Sequence, residues 1–367
     1  MTSPDDAGPD PTTGTSPTLL PVAAVHGRCE ERFAAIKTLA EELAVQDDDG
    51  FALAVEVDGE LVVDLWTGRA SEASLIHTFS TIKPLSACSL LLLVERDEVS
   101  LSTTLGTVWP ELPAAVAACT IADALGHRCG LIGVPNGRIE GLLDWDASIE
   151  AIAASEPLWT PGAAHGEHAF TYGHLIGELV RRISGQSIGS FIRSEISEAQ
   201  DIDVHIGLGP EELGRVTDIA TDPDFWSSIG WASREARAAL GHDPGIDADV
   251  VNSARWRMGE VPAVNGHASA RGLARFWSLV LDGSLPASVM EVAGTGRDVV
   301  IGEEITWTLG SAQLDIETGG IGMGGLGGSF AGALPEHGVT WSFLPVRMGD
   351  FLRVESIESS LLTQISA

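Results

Sequence analysis

A tight-turn dipeptide between two strand-like segments most constrains how this chain can fold. In FALAVEVDGELVVDLWTG, residues 51–68, two runs rich in β-branched and aliphatic side chains flank Asp58-Gly59. Asp-Gly is favoured in the turns of hairpins because it tolerates positive φ. The sequence therefore predicts a β-hairpin close to the amino end.

Strand-like segments return close to the carboxyl end, as ITWTLGSAQLDI and GVTWSFLPVRM, before a short predicted helix, SIESSLLTQISA. A helical stripe of Phe33, Ile36, Leu39 and Leu43 precedes the hairpin. The chain between these ends is mostly helical in pattern, as in HLIGELVRRISG and ASARGLARFWSLVLDG. The simplest architecture is a sheet built from both chain ends, with a helical region inserted in the middle.

The charge of the chain limits its partners. Its 367 residues include 21 basic and 52 acidic side chains, a net charge of -31. Nucleic acids and anionic membranes bind to basic patches, so we expect neither as a partner. The apolar run LSACSLLLLV is too short to span a bilayer and predicts a buried helix. The first residues predict a disordered tail over residues 1–22 without a signal peptide, and hence a cytoplasmic protein with reduced cysteines.

The serine and lysine of FSTIKP, Ser80 and Lys83, are the strongest candidates for chemistry. Only two of the 21 basic residues are lysine, and one of them lies here in an apolar segment. At positions i and i+3 of a helix start the amine can reach the hydroxyl. A serine hydroxyl needs a nearby base to become a nucleophile. A buried lysine can lose its proton and serve as that base, whereas arginine stays charged.

From about residue 24 to 345 the chain resembles the serine β-lactamase-like superfamily, which includes class C β-lactamases and penicillin-binding-protein-related esterases and transacylases. FSTIKPLSACSLLLLVERDEVSL is similar to the nucleophile helix of that family, ALGHRCGL to its H-x-x-G-L segment, and LWTPGAAHGEHAFTYGHLIGELVRRISG to the segment carrying its second motif. The resemblance implies an α+β, β-lactamase-like fold, with an antiparallel sheet flanked by helices. It implies a sheet subdomain over 23–78 and 296–367, a mainly helical subdomain over 79–295, and an active site between them.

The second motif departs from the family pattern. The position of the catalytic tyrosine, counted from the W-x-P-G turn, holds Glu167, and the single tyrosine of the chain, Tyr172, falls five residues later. Glu167 could shuttle protons, hold an amine co-substrate or remain a solvated loop residue. Tyr172 would be catalytic only with a loop insertion, and His168 is a further residue that could act in or line the pocket. The histidines of this segment match no metal motif, and we expect neither a metal nor a cofactor.

The third motif departs as well, because Met323-Gly324-Gly325 replaces the usual K-T-G or H-x-G. The resemblance places an oxyanion amide at Leu326, paired with that of Ser80. His127 and Asn265 are expected to be structural rather than catalytic. Without a basic residue in the third motif, β-lactams lose a partner for their carboxylate, so weak or no β-lactamase activity is expected.

These features predict a serine enzyme that takes an acyl group from a small ester or thioester. The acyl-enzyme would pass the group to an amine or alcohol, as in ester-to-amide exchange in secondary metabolism, or to water. The alternatives are a simple carboxylesterase and an inactive member that binds a ligand in the same cleft. The sequence leaves the donor, the acceptor and the oligomeric state open.

Overall fold

A computed structural model describes residues 24–133, 139–222, 225, 246–314 and 319–366. The predicted tail, residues 1–22, lies outside the described residues. Twelve strands are found within the described part of the chain. They are β1 (His26–Cys29), β2 (Phe51–Val57), β3 (Glu60–Trp66), β4 (Ile76–His77), β5 (Val204–His205), β6 (His267–Ala268), β7 (Val292–Arg297), β8 (Glu304–Thr308), β9 (Ala312–Gln313), β10 (Ile321–Gly325), β11 (Ser329–Leu334) and β12 (Val339–Pro345).

The α-helices of the described residues fall into two terminal helices and a set between them. They are α1 (Ala34–Gln46), α2 (Lys83–Glu95), α3 (Leu105–Val108), α4 (Ala114–Ala117), α5 (Ile121–Leu125), α6 (Trp145–Ala153), α7 (Thr171–Ser184), α8 (Ile188–Ile192), α9 (Pro210–Leu213), α10 (Ala248–Val251), α11 (Ala254–Met258), α12 (Ala270–Leu281) and α13 (Leu352–Ile365). Helices α2 and α7 pack against each other in the middle of the molecule.

The large sheet joins the two ends of the chain, as the sequence predicts. Its nine described strands lie in the order β1-β3-β2-β12-β11-β10-β9-β8-β7, and all neighbouring pairs are antiparallel. The predicted hairpin is β2–β3, and both residues of its turn have positive φ, 49° at Asp58 and 82° at Gly59. Strand β12 pairs with β2 and thereby places the carboxyl-terminal strand in the centre of the sheet.

Each face of the sheet is covered by apolar side chains from helices. On one face α1 and α13 bury Ile36, Leu43 and Ile357 against the sheet. On the other face lie α12 and the inserted helices, including α2, whose residues from Lys83 to Leu91 are all buried. The predicted buried helix at LSACSLLLLV is therefore present. The α+β, β-lactamase-like fold predicted from the sequence is confirmed.

The limits assigned to the subdomains, 23–78 with 296–367 and 79–295, stay a prediction. Two elements that begin within 79–295, the range assigned to the helical subdomain, belong with the sheet. Strand β7 already begins at Val292, and helix α12 packs against β2, β11 and β12. Within the described ranges, the helices are all too short or too polar to cross a membrane.

Candidate active site

Ser80 lies in a short 3-10 turn, Phe79–Ile82, which leads directly into α2; we call it the nucleophile turn. The backbone amide of Lys83 bonds to the carbonyl of Ser80, and Pro84 occupies the first turn of α2, where a missing N–H is tolerated. Phe79 has a φ of 48°, which is uncommon for a residue with a bulky side chain. The turn therefore presents Ser80 from a strained backbone.

The side chains of Ser80 and Lys83 meet, as their spacing predicts. Lys83 Nζ lies 2.6 Å from Ser80 Oγ. The lysine side chain is fully buried, and burial lowers the pKa of Lys83 below its usual value, while the carboxylate of Glu167 opposes that shift. Because the burial effect is the larger one, the neutral amine that a general base requires is favoured relative to an exposed lysine.

Glu167 approaches the same amine from a distant part of the chain. Its Oε1 lies 3.2 Å from Lys83 Nζ, and its side chain is 20% exposed. Glu167 also lines the cavity in front of Ser80. Ser80, Lys83 and Glu167 thus form a continuous chain of groups through which a proton can move.

The third-motif residues lie on β10, at the edge of the cavity. Gly325 packs against the segment before the nucleophile turn so closely that a Cβ there would overlap Thr78 O and Ser329 Oγ. Ser329 Oγ also lies 2.7 Å from Thr78 O, to which it donates, and 3.0 Å from Thr81 Oγ1. The glycine is needed because the end of β10 is fastened directly to the turn that carries the serine.

A cavity of about 340 Å³ opens in front of Ser80. Its lining includes the predicted residues Met323, Gly324, Gly325 and Leu326. Apolar side chains that the sequence does not single out complete the wall: Phe79, Phe170, Ile246, Val264, Ile301, Ile305, Trp307, Leu314 and Phe351. Of the described residues that line this cavity, none is lysine or arginine.

Tyr172 and His168 lie behind this wall. Tyr172 is fully buried in α7, its hydroxyl donates to Leu125 O at 3.3 Å, and burial raises its pKa. His168 is also buried, its Nδ1 lies 2.8 Å from Gly166 O, and burial lowers its pKa to about 4. Neither residue is among the described residues that line the cavity.

Trp307 and Asp298 are site residues that sequence reasoning missed. Trp307 lines the cavity, and its indole N–H donates to Asp298 Oδ2 at 2.9 Å. The other oxygen of this buried carboxylate accepts the backbone N–H groups of Val300 and Ile301, both at 2.8 Å. Asp298 thereby fixes both the indole and the loop at the mouth of the cavity. Strand alternation in ITWTL was the only sequence signal that could have suggested an inward-facing tryptophan.

The protein has a mixed sheet-and-helix fold, and a serine and a buried lysine are paired beside its apolar cavity. These features define it as a serine hydrolase of the β-lactamase fold. A model of the Beta-lactamase family matches residues 36–357, and the chain belongs to that family. The resemblance to the serine β-lactamase-like superfamily, inferred from the sequence, is therefore confirmed.

Relatives with known names or structures agree with this assignment. The chain is 28% identical to the Mycobacterium tuberculosis protein named Esterase/beta-lactamase LipL, over 88% of this chain and 83% of that protein. It resembles the crystal structure of a penicillin-binding protein homolog from Caulobacter crescentus, with 30% identity and a TM-score of 0.83 over 93% of this chain and 100% of the other. It also resembles a family VIII carboxylesterase, with 26% identity and the same score and coverage.

Proposed function

We propose that the protein is a carboxylesterase that forms an acyl-enzyme on Ser80 from esters or thioesters with uncharged, apolar acyl groups. The observation that carries the proposal is the 2.6 Å contact between Ser80 Oγ and a fully buried lysine amine, next to an apolar cavity. The pair supplies a nucleophile and its base, and the cavity supplies room for the acyl group.

In the acylation step Ser80 Oγ bonds to the ester carbonyl carbon while its proton passes to Lys83 Nζ. Glu167, 3.2 Å from Nζ, stabilises the ammonium that forms and can take up one of its protons. The negative oxygen of the tetrahedral intermediate would be bound by the backbone amides of Ser80 and Leu326. The leaving alcohol or thiol takes the proton as its bond to carbon breaks, which leaves the acyl group on Ser80. Water activated by Lys83 or Glu167 then releases the acid and restores the serine.

The acyl specificity follows from the cavity wall. Met323 is buried there at the place of the basic third-motif residue, and among the described residues that line the cavity the charged side chain is that of Glu167. A substrate carboxylate would lose its water without gaining a cation and would lie near a second carboxylate. Apolar acyl groups are therefore preferred, and β-lactams, which present a carboxylate, are expected to be poor substrates.

Transfer to an amine or alcohol is the second candidate function. It is favoured by the apolar wall, because an apolar acceptor is concentrated beside the acyl-enzyme, and by Glu167, which can accept the proton that an attacking amine loses. A small amphiphilic amine or alcohol is the kind of acceptor that fits.

Intact-mass measurement tests the proposal. Incubation with an aryl hexanoate should add one acyl group and release a burst of phenol. The adduct should be absent in Ser80→Ala and present in Ser102→Ala, which changes an exposed serine elsewhere. The hexanoate should exceed the hemisuccinate of the same phenol in kcat/KM by at least about tenfold, or roughly 1.4 kcal/mol.

The outcomes separate the candidate functions. If no ester or thioester of a panel gives an adduct, the proposal that the protein is an enzyme is contradicted, and a ligand-binding member of the family is favoured. A hemisuccinate that reacts as fast as the hexanoate would contradict the proposed preference for apolar acyl groups. Amide or ester product that rises with added amine or alcohol, at the expense of acid, would establish transfer.

A further inference from the structure

Glu167 is held in place by a residue that the proposed chemistry does not use. The residues on both sides of Glu167 bond to His127, which lies in the segment ALGHRCGL. Gly166 N donates to His127 O at 3.1 Å, and His168 N donates to His127 Nδ1 at 3.1 Å. His168 Nδ1 also lies 2.8 Å from Gly166 O, which closes a small ring around Glu167. Three contacts therefore fix the backbone at the position of the carboxylate.

The rest of the loop that carries Glu167 is also hydrogen-bonded to the segment ALGHRCGL. Arg128 O accepts the backbone N–H of Gly162 at 3.0 Å and the indole N–H of Trp159 at 3.3 Å. Gly130 O accepts the backbone N–H of Leu158 at 3.0 Å. The loop over residues 158–168 therefore lies on residues 127–130 along its whole length, and His127 supports the end nearest the cavity.

His127 is itself tightly constrained. It is fully buried, and its φ is 60°, a conformation that L-residues seldom adopt unless their surroundings enforce it. Its ring centroid lies 4.5 Å from that of Tyr172, in a stacked arrangement, and 4.2 Å from that of Trp307. This packing aims Nδ1 at the amide of His168.

The bond to His168 N requires a neutral imidazole with its proton on Nε2, because a protonated Nδ1 cannot accept. Burial holds the pKa of His127 well below its usual value. A lowered pKa favours the neutral ring that this acceptor requires.

We propose that His127 is a positioning residue, which holds the backbone on both sides of Glu167 so that the carboxylate stays within reach of Lys83. The inference rests on the proposed role of Glu167 in moving protons. The hydrogen-bond acceptor of His127 acts through Glu167, so the difference between a variant with an acceptor at position 127 and a variant without one should appear only while that carboxylate is present. The 3.2 Å contact between Oε1 and Nζ leaves little room for displacement before the bond is lost.

Two substitutions at position 127 isolate the acceptor. His127→Asn keeps an oxygen acceptor near the place of Nδ1, and asparagine tolerates positive φ. His127→Gly also tolerates positive φ but has no acceptor. Both variants lack the ring that packs on Tyr172 and Trp307, so the difference between them reports the hydrogen bond to His168 N.

Each variant should be made in the natural sequence and in a Glu167→Gln background, and phenol release from the aryl hexanoate measured. We expect His127→Gly to lower kcat by about tenfold or more, but no further than Glu167→Gln alone. His127→Asn should remain within about threefold of the unchanged protein. In the Glu167→Gln background, His127→Gly and His127→Asn should differ in kcat by less than about threefold, because the carboxylate that the acceptor positions is already lost.

Equal losses in His127→Asn and His127→Gly would overturn the proposal, as would an undiminished difference between these two variants in the Glu167→Gln background. Circular dichroism checks folding. If His127→Gly is unfolded, His127→Leu takes its place, because it fills the space without an acceptor at a cost of about 1–2 kcal/mol for the left-handed backbone. If Glu167→Gln lowers kcat while His127→Gly does not, only the role of His127 is wrong. If Glu167→Gln has no effect, the role of Glu167 and this inference fall together, while the adduct on Ser80 still stands.

Discussion

Replacing Lys83 by arginine separates two roles that a cation beside Ser80 could have. Arginine keeps the positive charge next to Glu167 but stays protonated and cannot accept the serine proton. Lys83→Met removes both the charge and the base at similar length. A lysine that acts only as a cation would be replaced well by arginine and badly by methionine, whereas a lysine that acts as a base is replaced by neither.

The structure sets the size of the effect. Lys83 Nζ is 2.6 Å from Ser80 Oγ and is fully buried, so the proton passes to this amine directly. General base catalysis contributes about 10²–10⁴-fold, or roughly 2.7–5.4 kcal/mol of activation free energy, and both variants should lose most of it. The larger guanidinium in a packed site costs about 1–3 kcal/mol of stability, which a domain of ordinary stability survives.

The assay is the rate of phenol burst from an aryl hexanoate as a function of pH, with circular dichroism as the control for folding. A base must be unprotonated, so the acylation rate of the natural protein should rise with pH through the pKa of Lys83. That pKa lies below the usual value of 10.5 because of burial. The rise should vanish in Lys83→Arg and Lys83→Met. A near-normal burst from Lys83→Arg would refute the assignment of Lys83 as the base.

Three further outcomes follow from the packing and the charges. Gly325→Ala should lower the free energy of unfolding in urea by at least about 2 kcal/mol and lower the burst rate, because its Cβ would overlap the segment before the nucleophile turn. The control is Gly133→Ala, whose Cβ meets open space, and equal effects of the two substitutions would contradict this prediction. Met323→Lys should raise kcat/KM for the hemisuccinate relative to the hexanoate by about tenfold, and an unchanged ratio would argue against the acyl-specificity argument. Burial lowers the pKa of His174 to about 4, so the unfolded chain binds a proton there between pH 4 and 6.5 that the folded protein excludes, and stability falls as the pH drops through that window. His174→Gln should reduce this pH dependence by about one proton, or roughly 1.4 kcal/mol per pH unit, and an unreduced dependence in this variant would contradict the reasoning.

The parts of the fold that the sequence predicts best are local. The hairpin at Asp58-Gly59 follows from turn chemistry, and the helix after Ser80 follows from a long apolar run. Strand β7, with the sequence VAGTGR, gives no such signal, because its two glycines carry no side-chain preference for a strand. Strand β10, IGMGG, gives no such signal either, because three of its five residues are glycine.

The meeting of Ser80 and Lys83 was determined by the sequence itself, since three residues span one turn and the backbone of that turn brings the two side chains together. The approach of Glu167 was decided by the tertiary structure, because 84 residues separate it from Lys83 and only the packing of α7 on α2, with His127 under the loop, brings the carboxylate to the amine. The apolar cavity was likewise decided by folding, because its wall draws Phe79, Trp307 and Phe351 from distant segments. Short-range geometry is fixed by covalent connection, whereas contacts between distant segments exist only after the sheet and helices have packed.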